Sequence, residues 1–166
     1  MDRYVVMGVS GCGKSVIGAL LAERMGATYI DGDDLHPASN VAKMAAGTAL
    51  TDEDRAPWLD QVGATLGAAQ GVAIIGCSAL KRIYRDRIRA AAGQDVMFLH
   101  LSGDKTLIAG RMGARTGHFM PTSLLDSQFE ALEPPTSDET ALSVDIGPDP
   151  AVIVSNILAQ LGPKDR

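Results

Sequence analysis

The residues best equipped for chemistry lie near the start of the chain, where Gly8-Val9-Ser10-Gly11-Cys12-Gly13-Lys14-Ser15 fits the spacing G-x-x-x-x-G-K-[ST]. Glycines at those positions let the backbone wrap until its amides converge on a phosphate, and the helix that follows adds a favourable dipole. Lys14 can reach β- and γ-oxygens, and Ser15 offers a hydroxyl to magnesium. A lysine at the positive end of a helix opposes the dipole, so its presence calls for an anion to offset it. This stretch is the expected ATP site, with Lys14 acting on the transferring phosphates. The asparagines, Asn40 and Asn156, do not stand in an N-K-x-D arrangement, which argues against guanine as the base.

Moving a phosphoryl group to an alcohol also needs a metal partner and a group that orients or deprotonates the hydroxyl. Asp31-Gly32-Asp33-Asp34 supplies carboxylates after a second apolar run, while the third run ends at Gly76-Cys77-Ser78 with no acid for the metal role. By elimination the Asp31/Asp33 pair inherits that role, at the carboxyl edge where doubly wound sheets bind ligands. Strand alternation puts both on one side. Asp31, nearer the strand and Ser15, is assigned to the magnesium shell and Asp33 to the acceptor hydroxyl; the exchanged order stays open, because the turn between them contains a glycine. Two cations extend the acceptor side. Ser78 as an N-cap would place Lys81 at the third helical position, and Asp54 as an N-cap before Pro57 would make Arg55 the first helical residue. Both are cations at positive helix ends, where an anionic ligand would account for them. For Arg55 the structural alternative is pairing with the Asp52-Glu53-Asp54 run. His36, beside the aspartate turn, is a candidate donor to substrate hydroxyls or a turn-stabilising residue.

Short apolar runs at 4–7, 28–30, 72–75, 96–99 and 142–144 read as strands that would carry these groups. Most are continuously apolar, as expected of parallel strands covered on both faces. Helical periodicity fills the gaps at 14–25, 40–46, 54–69, 81–92, 104–114, 121–132 and 150–161. The alternation is that of an α/β fold, and 166 residues suit one domain, 1–166. Arg82, Arg85, Arg87 and Arg89 read as a solvated face, His100 as structural, and Trp58 and Met44 as core. Glu133–Thr140, with two prolines, is the most loop-like stretch. A net charge of −5 argues against nucleic acid or an anionic membrane as partner. The first apolar run is broken at Gly8, so no leader is expected and the chain reads as cytoplasmic. Cys12 and Cys77 lack metal-ligand spacing and fit a reducing compartment.

Taken together, the sequence resembles the small P-loop gluconokinase family, a relative of shikimate and nucleoside-monophosphate kinases. The resemblance covers nearly the whole chain. It rests on Met7 to Gly11 leading into the phosphate loop, Asp31-Gly32-Asp33 followed by Leu35-His36-Pro37, Lys43-Met44, and Leu50 to Arg55 with Pro57-Trp58-Leu59. It continues through Cys77 to Lys81 with Tyr84-Arg85-Asp86, Gly117-His118-Phe119, Gln128-Phe129-Glu130 and Leu132-Glu133. It implies a P-loop NTPase fold, a five-stranded parallel sheet in the order 2-3-1-4-5 with a mobile lid, and a reaction converting gluconate and ATP into 6-phosphogluconate and ADP. It also implies magnesium as cofactor and a homodimer. Under it, Arg55 and Lys81 become partners of the gluconate carboxylate, with Asp33, His36 and His118 also on the substrate. Arg111, Arg115 and His118 resemble lid residues, the arginines covering ATP. The segment from Val144 to Pro148 could shape the adenine pocket. Cys12 departs from the smaller or polar residue such loops often carry, and this raises the expectation of an oxidation-sensitive site. Kinases for other small hydroxy acids, such as shikimate, or a non-catalytic nucleotide switch, are the competing functions.

Overall fold

The structure, a computed structural model, describes residues 1–113 and 122–162. Strands β1 (Arg3–Met7), β2 (Thr28–Asp31), β3 (Ala73–Gly76), β4 (Met97–Ser102) and β5 (Ala141–Asp145) form one sheet in the order β2-β3-β1-β4-β5. Every pairing is parallel. Helices α1 (Lys14–Met25), α2 (Ala38–Ala45), α3 (Asp52–Ala68), α4 (Arg82–Ala92), α5 (Lys105–Gly113), α6 (Thr122–Ala131) and α7 (Pro150–Leu161) flank it, and a 3-10 turn covers Gly32–Leu35. Among the described residues no helix is long and apolar enough to cross a membrane.

The expected fold class and strand order are therefore found, and β1 shows why. Its residues are all buried, because alternate side chains enter two different cores. Tyr4 and Val6 pack with Ile17 and Leu21 of α1 and with Ile153 and Ile157 of α7. Val5 and Met7 pack on the other face with Leu59, Val62 and Leu66 of α3 and Ile88 of α4. A strand sandwiched this way cannot show polar alternation, which explains its continuous apolar run. Each large side chain so buried contributes about 1.5–3 kcal/mol. Order β3-β1-β4 puts the chain's crossover at the carboxyl end of β1, where the phosphate loop emerges.

Several local expectations are corrected. Helix α3 begins at Asp52, not Asp54: Thr51 is its N-cap, accepting from the Asp54 amide at 3.1 Å while the Asp54 carboxylate accepts from the Thr51 amide at 2.9 Å. Such a reciprocal box satisfies two otherwise orphaned donors, which a lone Asp54 cap would not. Arg55 thus lies a turn inside the helix. Helix α4 begins at Arg82 with Lys81 itself as N-cap, so Ser78 does not cap it and Lys81 is not a cation at the third helical position. Arg85 does not belong to a solvated face. It is fully buried, held by Glu139 at 2.7 and 3.0 Å, and it donates to the Ala79 and Leu80 carbonyls. Met44 is not core but 45% exposed, and lines a cleft. His100 is buried in β4 and pairs with Ser143, as expected.

Candidate active site

The loop between β1 and α1 takes the shape its glycines permit. Gly11 and Gly13 have φ of 81° and 96°, in the left-handed region that side chains disfavour. Gly13 is the N-cap of α1 and no side chain caps it, so amides at this helix start are left for an anion. Lys14 folds over the loop, its Nζ donating to the Gly8 and Val9 carbonyls at 2.9 and 3.0 Å. Cys12 is only 2% exposed, and burial pushes its thiol pKa up despite the nearby Lys14. That counters the expected oxidation sensitivity, since reactivity requires an accessible thiolate.

Ser10 reveals a residue to which no role was assigned from the sequence. Its amide donates to Gln128 Oε1 at 2.6 Å, and Gln128 Nε2 donates back to Ser10 Oγ at 2.9 Å. Gln128 thus ties α6 to the phosphate loop. Ser15 is exposed at the start of α1, where its hydroxyl meets the Tyr29 phenol. Tyr29 is seated between α1 and β3, where a Cβ at Gly18 or Gly76 would overlap its ring or hydroxyl. Burial pushes the phenol pKa up, with the Ser15 hydrogen bond pulling the other way.

Asp31 ends β2 in register with Gly76, and its Oδ1 accepts from the Asp33 amide at 3.0 Å. The backbone then turns into the 3-10 helix, so alternation along a strand does not relate the two carboxylates; the turn nevertheless brings both to one cavity. Asp33 reaches solvent, yet the protein packed around it and the neighbouring Asp31 carboxylate push its pKa above the usual carboxylate range. The cavity, of about 300 Å³, is lined by Lys14, Ser15, Asp31 and Asp33 on one side and by His36, Arg55, Trp58 and Gln128 on the other. Trp58 is buried as expected, but it is also a platform. Its ring stacks on His36 with centroids 4.0 Å apart, and its Nε1 donates to the Gly32 carbonyl at 2.8 Å.

A second cleft of about 610 Å³ continues past Arg55, Trp58 and Gln128 to Lys81 and Tyr84. There the two expected anion-binding cations meet one carboxylate. Asp52 Oδ1 lies 3.7 Å from both Arg55 Nη1 and Lys81 Nζ, and accepts from the Tyr84 hydroxyl at 2.5 Å. The Tyr84 bond, with Lys81 and Arg55 adding, lowers the Asp52 pKa; burial and that same carboxylate push Tyr84 up to about 12. Pairing of Arg55 with the acidic run is thus present, and it coexists with a place on the cleft. On the opposite side of the phosphate loop, a cavity of about 340 Å³ is bounded by Gly11, Gly13, Arg111, Pro148 and Asp149. Arg111 donates to the Gly147 carbonyl at 3.1 Å, so it and the segment after β5 border the same cavity beside the loop. Arg115 and His118 lie outside the described residues. No group of three or more His, Cys, Asp or Glu side chains among the described residues gathers as a metal cluster.

No family model matches the chain. The thermosensitive gluconokinase of Escherichia coli is 47% identical over 163 residues, spanning 96% of this chain and 84% of the relative. The crystal structure of a gluconokinase from Sinorhizobium meliloti superposes with a TM-score of 0.88 at 46% identity, covering 96% of this chain and 91% of that one. Shikimate kinase from Aquifex aeolicus shares the fold alone, with a TM-score of 0.61 at 14% identity over 96% of this chain and 95% of that one. A glycine-rich loop of phosphate-binding pattern on a 2-3-1-4-5 sheet, continuous with a cleft of carboxylates and cations, is thus accompanied by near-full-length similarity, and the chain belongs to the gluconokinase family.

Proposed function

We propose that residues 1–166 form one kinase domain that transfers the γ-phosphoryl group of ATP to the 6-hydroxyl of D-gluconate, giving 6-phospho-D-gluconate and ADP. The observation that carries it is the single cavity joining Lys14 and Ser15 to Asp33, His36 and Arg55. Phosphoryl transfer needs little covalent help from protein; it needs alignment and charge stabilisation, and a cleft with these groups at its two ends supplies both.

On the nucleotide side, Gly8 to Ser15 cradle the phosphates, and Lys14 exchanges its two loop carbonyls for phosphate oxygens. Arg111, and Arg115 by family resemblance, cover the nucleotide. Ser15 and Asp31 are hard oxygen donors and fit magnesium, which typically takes only one or two protein ligands beside phosphates and water. Bound there, magnesium would supply positive charge to offset the negative charge developing on the phosphates. On the acceptor side, Arg55 and Lys81 hold the carboxylate, which takes the place Asp52 has between them. His36 contacts a hydroxyl, and His118 adds a contact by resemblance. Asp33 receives the proton as the hydroxyl oxygen bonds to the γ-phosphorus and the bond from phosphorus to the β–γ bridging oxygen breaks. Its raised pKa makes it a better base than an ordinary aspartate.

The deciding experiment measures ADP release by the purified chain with magnesium and ATP against a panel of gluconate, shikimate and other small hydroxy acids. Gluconate-dependent release with little response to shikimate is expected. ADP release indifferent to every acceptor would reject the kinase assignment. Family resemblance also supports a cytoplasmic homodimer, and sedimentation of the purified chain reads the oligomeric state.

A further inference from the structure

Asn40 of α2 is 2% exposed, and both hydrogens of its amide are engaged. Its Nδ2 donates to the Asp54 carbonyl at 2.9 Å and lies 3.2 Å from His36 Nδ1. A carbonyl can only accept, so the side of Asn40 facing Asp54 must be the NH2; its oxygen there would set two acceptors against each other. The second amide hydrogen is then directed at His36 Nδ1. That nitrogen must accept, which leaves the ring proton on Nε2. The ring cannot turn away easily, because it is stacked on Trp58 with planes 15° apart, and Trp58 is pinned to Gly32. His36 Nε2 has no hydrogen-bond partner among the described residues and is not sealed from solvent, and the residue lines the cavity beside Asp33 and Arg55.

We infer that Asn40 is a positioning residue that locks His36 in the neutral Nε2–H tautomer, so that the ring presents a fixed hydrogen-bond donor to a hydroxyl oxygen of the polyol acid. The inference rests on the gluconate kinase function proposed above and assigns the chemistry of one acceptor contact. Burial lowers the His36 pKa; Asp33 opposes this and Arg55 adds to it. Lys43 pairs with the Asp54 carboxylate at 2.9 Å and so holds α2 against the start of α3, fixing the geometry that delivers the amide.

The test uses the full chain labelled with 15N at histidine, without ligand, at pH 8. The His36 signals are identified by their loss in His36→Gln. The Nε2–H pattern is expected. An Nδ1–H pattern, or the averaged pattern of a free imidazole, would overturn the lock. Asn40→Asp turns a carboxylate toward Nδ1, and should shift His36 to the Nδ1–H or doubly protonated form. It should also raise the KM for gluconate roughly tenfold, the scale of one lost hydrogen bond, with kcat and the KM for ATP changed less than about threefold. An unaltered gluconate KM alongside a switched tautomer would overturn the substrate contact. The tautomer spectrum of the unmutated chain needs no variant to fold, and it remains interpretable if gluconate proves not to be the acceptor. A failed substrate panel would therefore strike the functional proposal, and a wrong tautomer would strike this one.

Discussion

At the scale of single residues, the proposed mechanism divides the work between charge that moves with phosphate and charge that takes a proton. Replacing Lys14 with Ala removes a cation from the transferring group, and a loss of roughly 100- to 1000-fold in kcat is expected, the range for one preorganised donor. Near-normal turnover in that variant would reject the phosphate-loop assignment. The two aspartates should separate by phenotype. Asp33→Asn keeps size but removes the proton acceptor, so kcat should fall on the order of 100- to 10,000-fold with ATP binding retained. Asp31→Asn should instead raise the magnesium concentration for half-maximal rate. A magnesium defect confined to Asp33→Asn would exchange the roles. Protein packed around Asp33 and the Asp31 carboxylate raise its pKa, so its basic form is lost at a higher pH than for an ordinary aspartate. The acid limb of the kcat/KM profile should then lie above about 3.9, and should disappear in Asp33→Asn. An acid limb unchanged in that variant would assign it to another group.

At the scale of elements, the proposed acceptor side is backed by a clamp built outside the cleft. Arg85 of α4 fastens the Ala79 and Leu80 carbonyls, Glu133 donates its amide to Leu80 at 2.7 Å, and Gly8 donates to Ser78 at 3.2 Å. The loop that carries Ser78 and Lys81 into the site is thereby tied to the phosphate loop, and Ala79 is held at a φ of 45°. Glu139 anchors Arg85. Burial opposes its ionisation, but Arg85, the Thr136 amide and Arg89 outweigh that and bring its pKa down to about 2, from an ordinary 4.5. A carboxylate depressed in the folded state binds protons more readily when unfolded. Its stabilisation is therefore complete above about 4.5 and is lost as pH falls toward 2. Arg85→Met takes from buried Glu139 its closest partner and leaves it only Arg89, the Thr136 amide and the more distant Arg82, so a loss of up to about 3–5 kcal/mol in urea unfolding is expected, with gluconate KM raised more than that of ATP. A change below about 1 kcal/mol, or equal effects on both substrates, would dismiss the clamp. Sequence reasoning placed α4 within a residue at its start but took Arg85 for a solvated residue. The helical period is a local signal, whereas the partner that buries Arg85 stands 54 positions away. Gln128 and Ser10, 118 positions apart, escaped for the same reason, while the phosphate loop was legible because its eight residues act together as one turn.

At the scale of the whole molecule, the sheet carries two cavities at one edge, one on each side of the phosphate loop, which the proposed function makes the two binding regions. The Arg111 and Pro148 cavity lies toward α7, and the cleft with Arg55 and Lys81 toward α3 and α4. The strands beneath them were readable because parallel strands covered on both faces lose their polar alternation, but the meeting of distant loops above that edge is a property of the folded chain alone. If each region binds its ligand through its own residues, each ligand should stabilise the fold separately. A ligand at about 100 times its Kd adds about 2.7 kcal/mol to unfolding, which in a chain of this size raises Tm by about 5–10 °C. A non-hydrolysable ATP analogue with magnesium and gluconate should each produce such a shift in the unmutated protein. Lys14→Ala should lose the analogue's shift and keep that of gluconate, and the retained shift verifies that the variant, deprived of its bonds to the Gly8 and Val9 carbonyls, still folds around the acceptor cleft. Arg55→Met should do the reverse, because the cation it removes faces Asp52 and Tyr84 rather than the phosphate loop. Loss of the analogue's shift in Arg55→Met with gluconate's intact would move Arg55 to the nucleotide side. Loss of both shifts in each variant would mean that neither ligand is bound by one region alone, and the division of the edge into a phosphate half and an acceptor half would have to be abandoned.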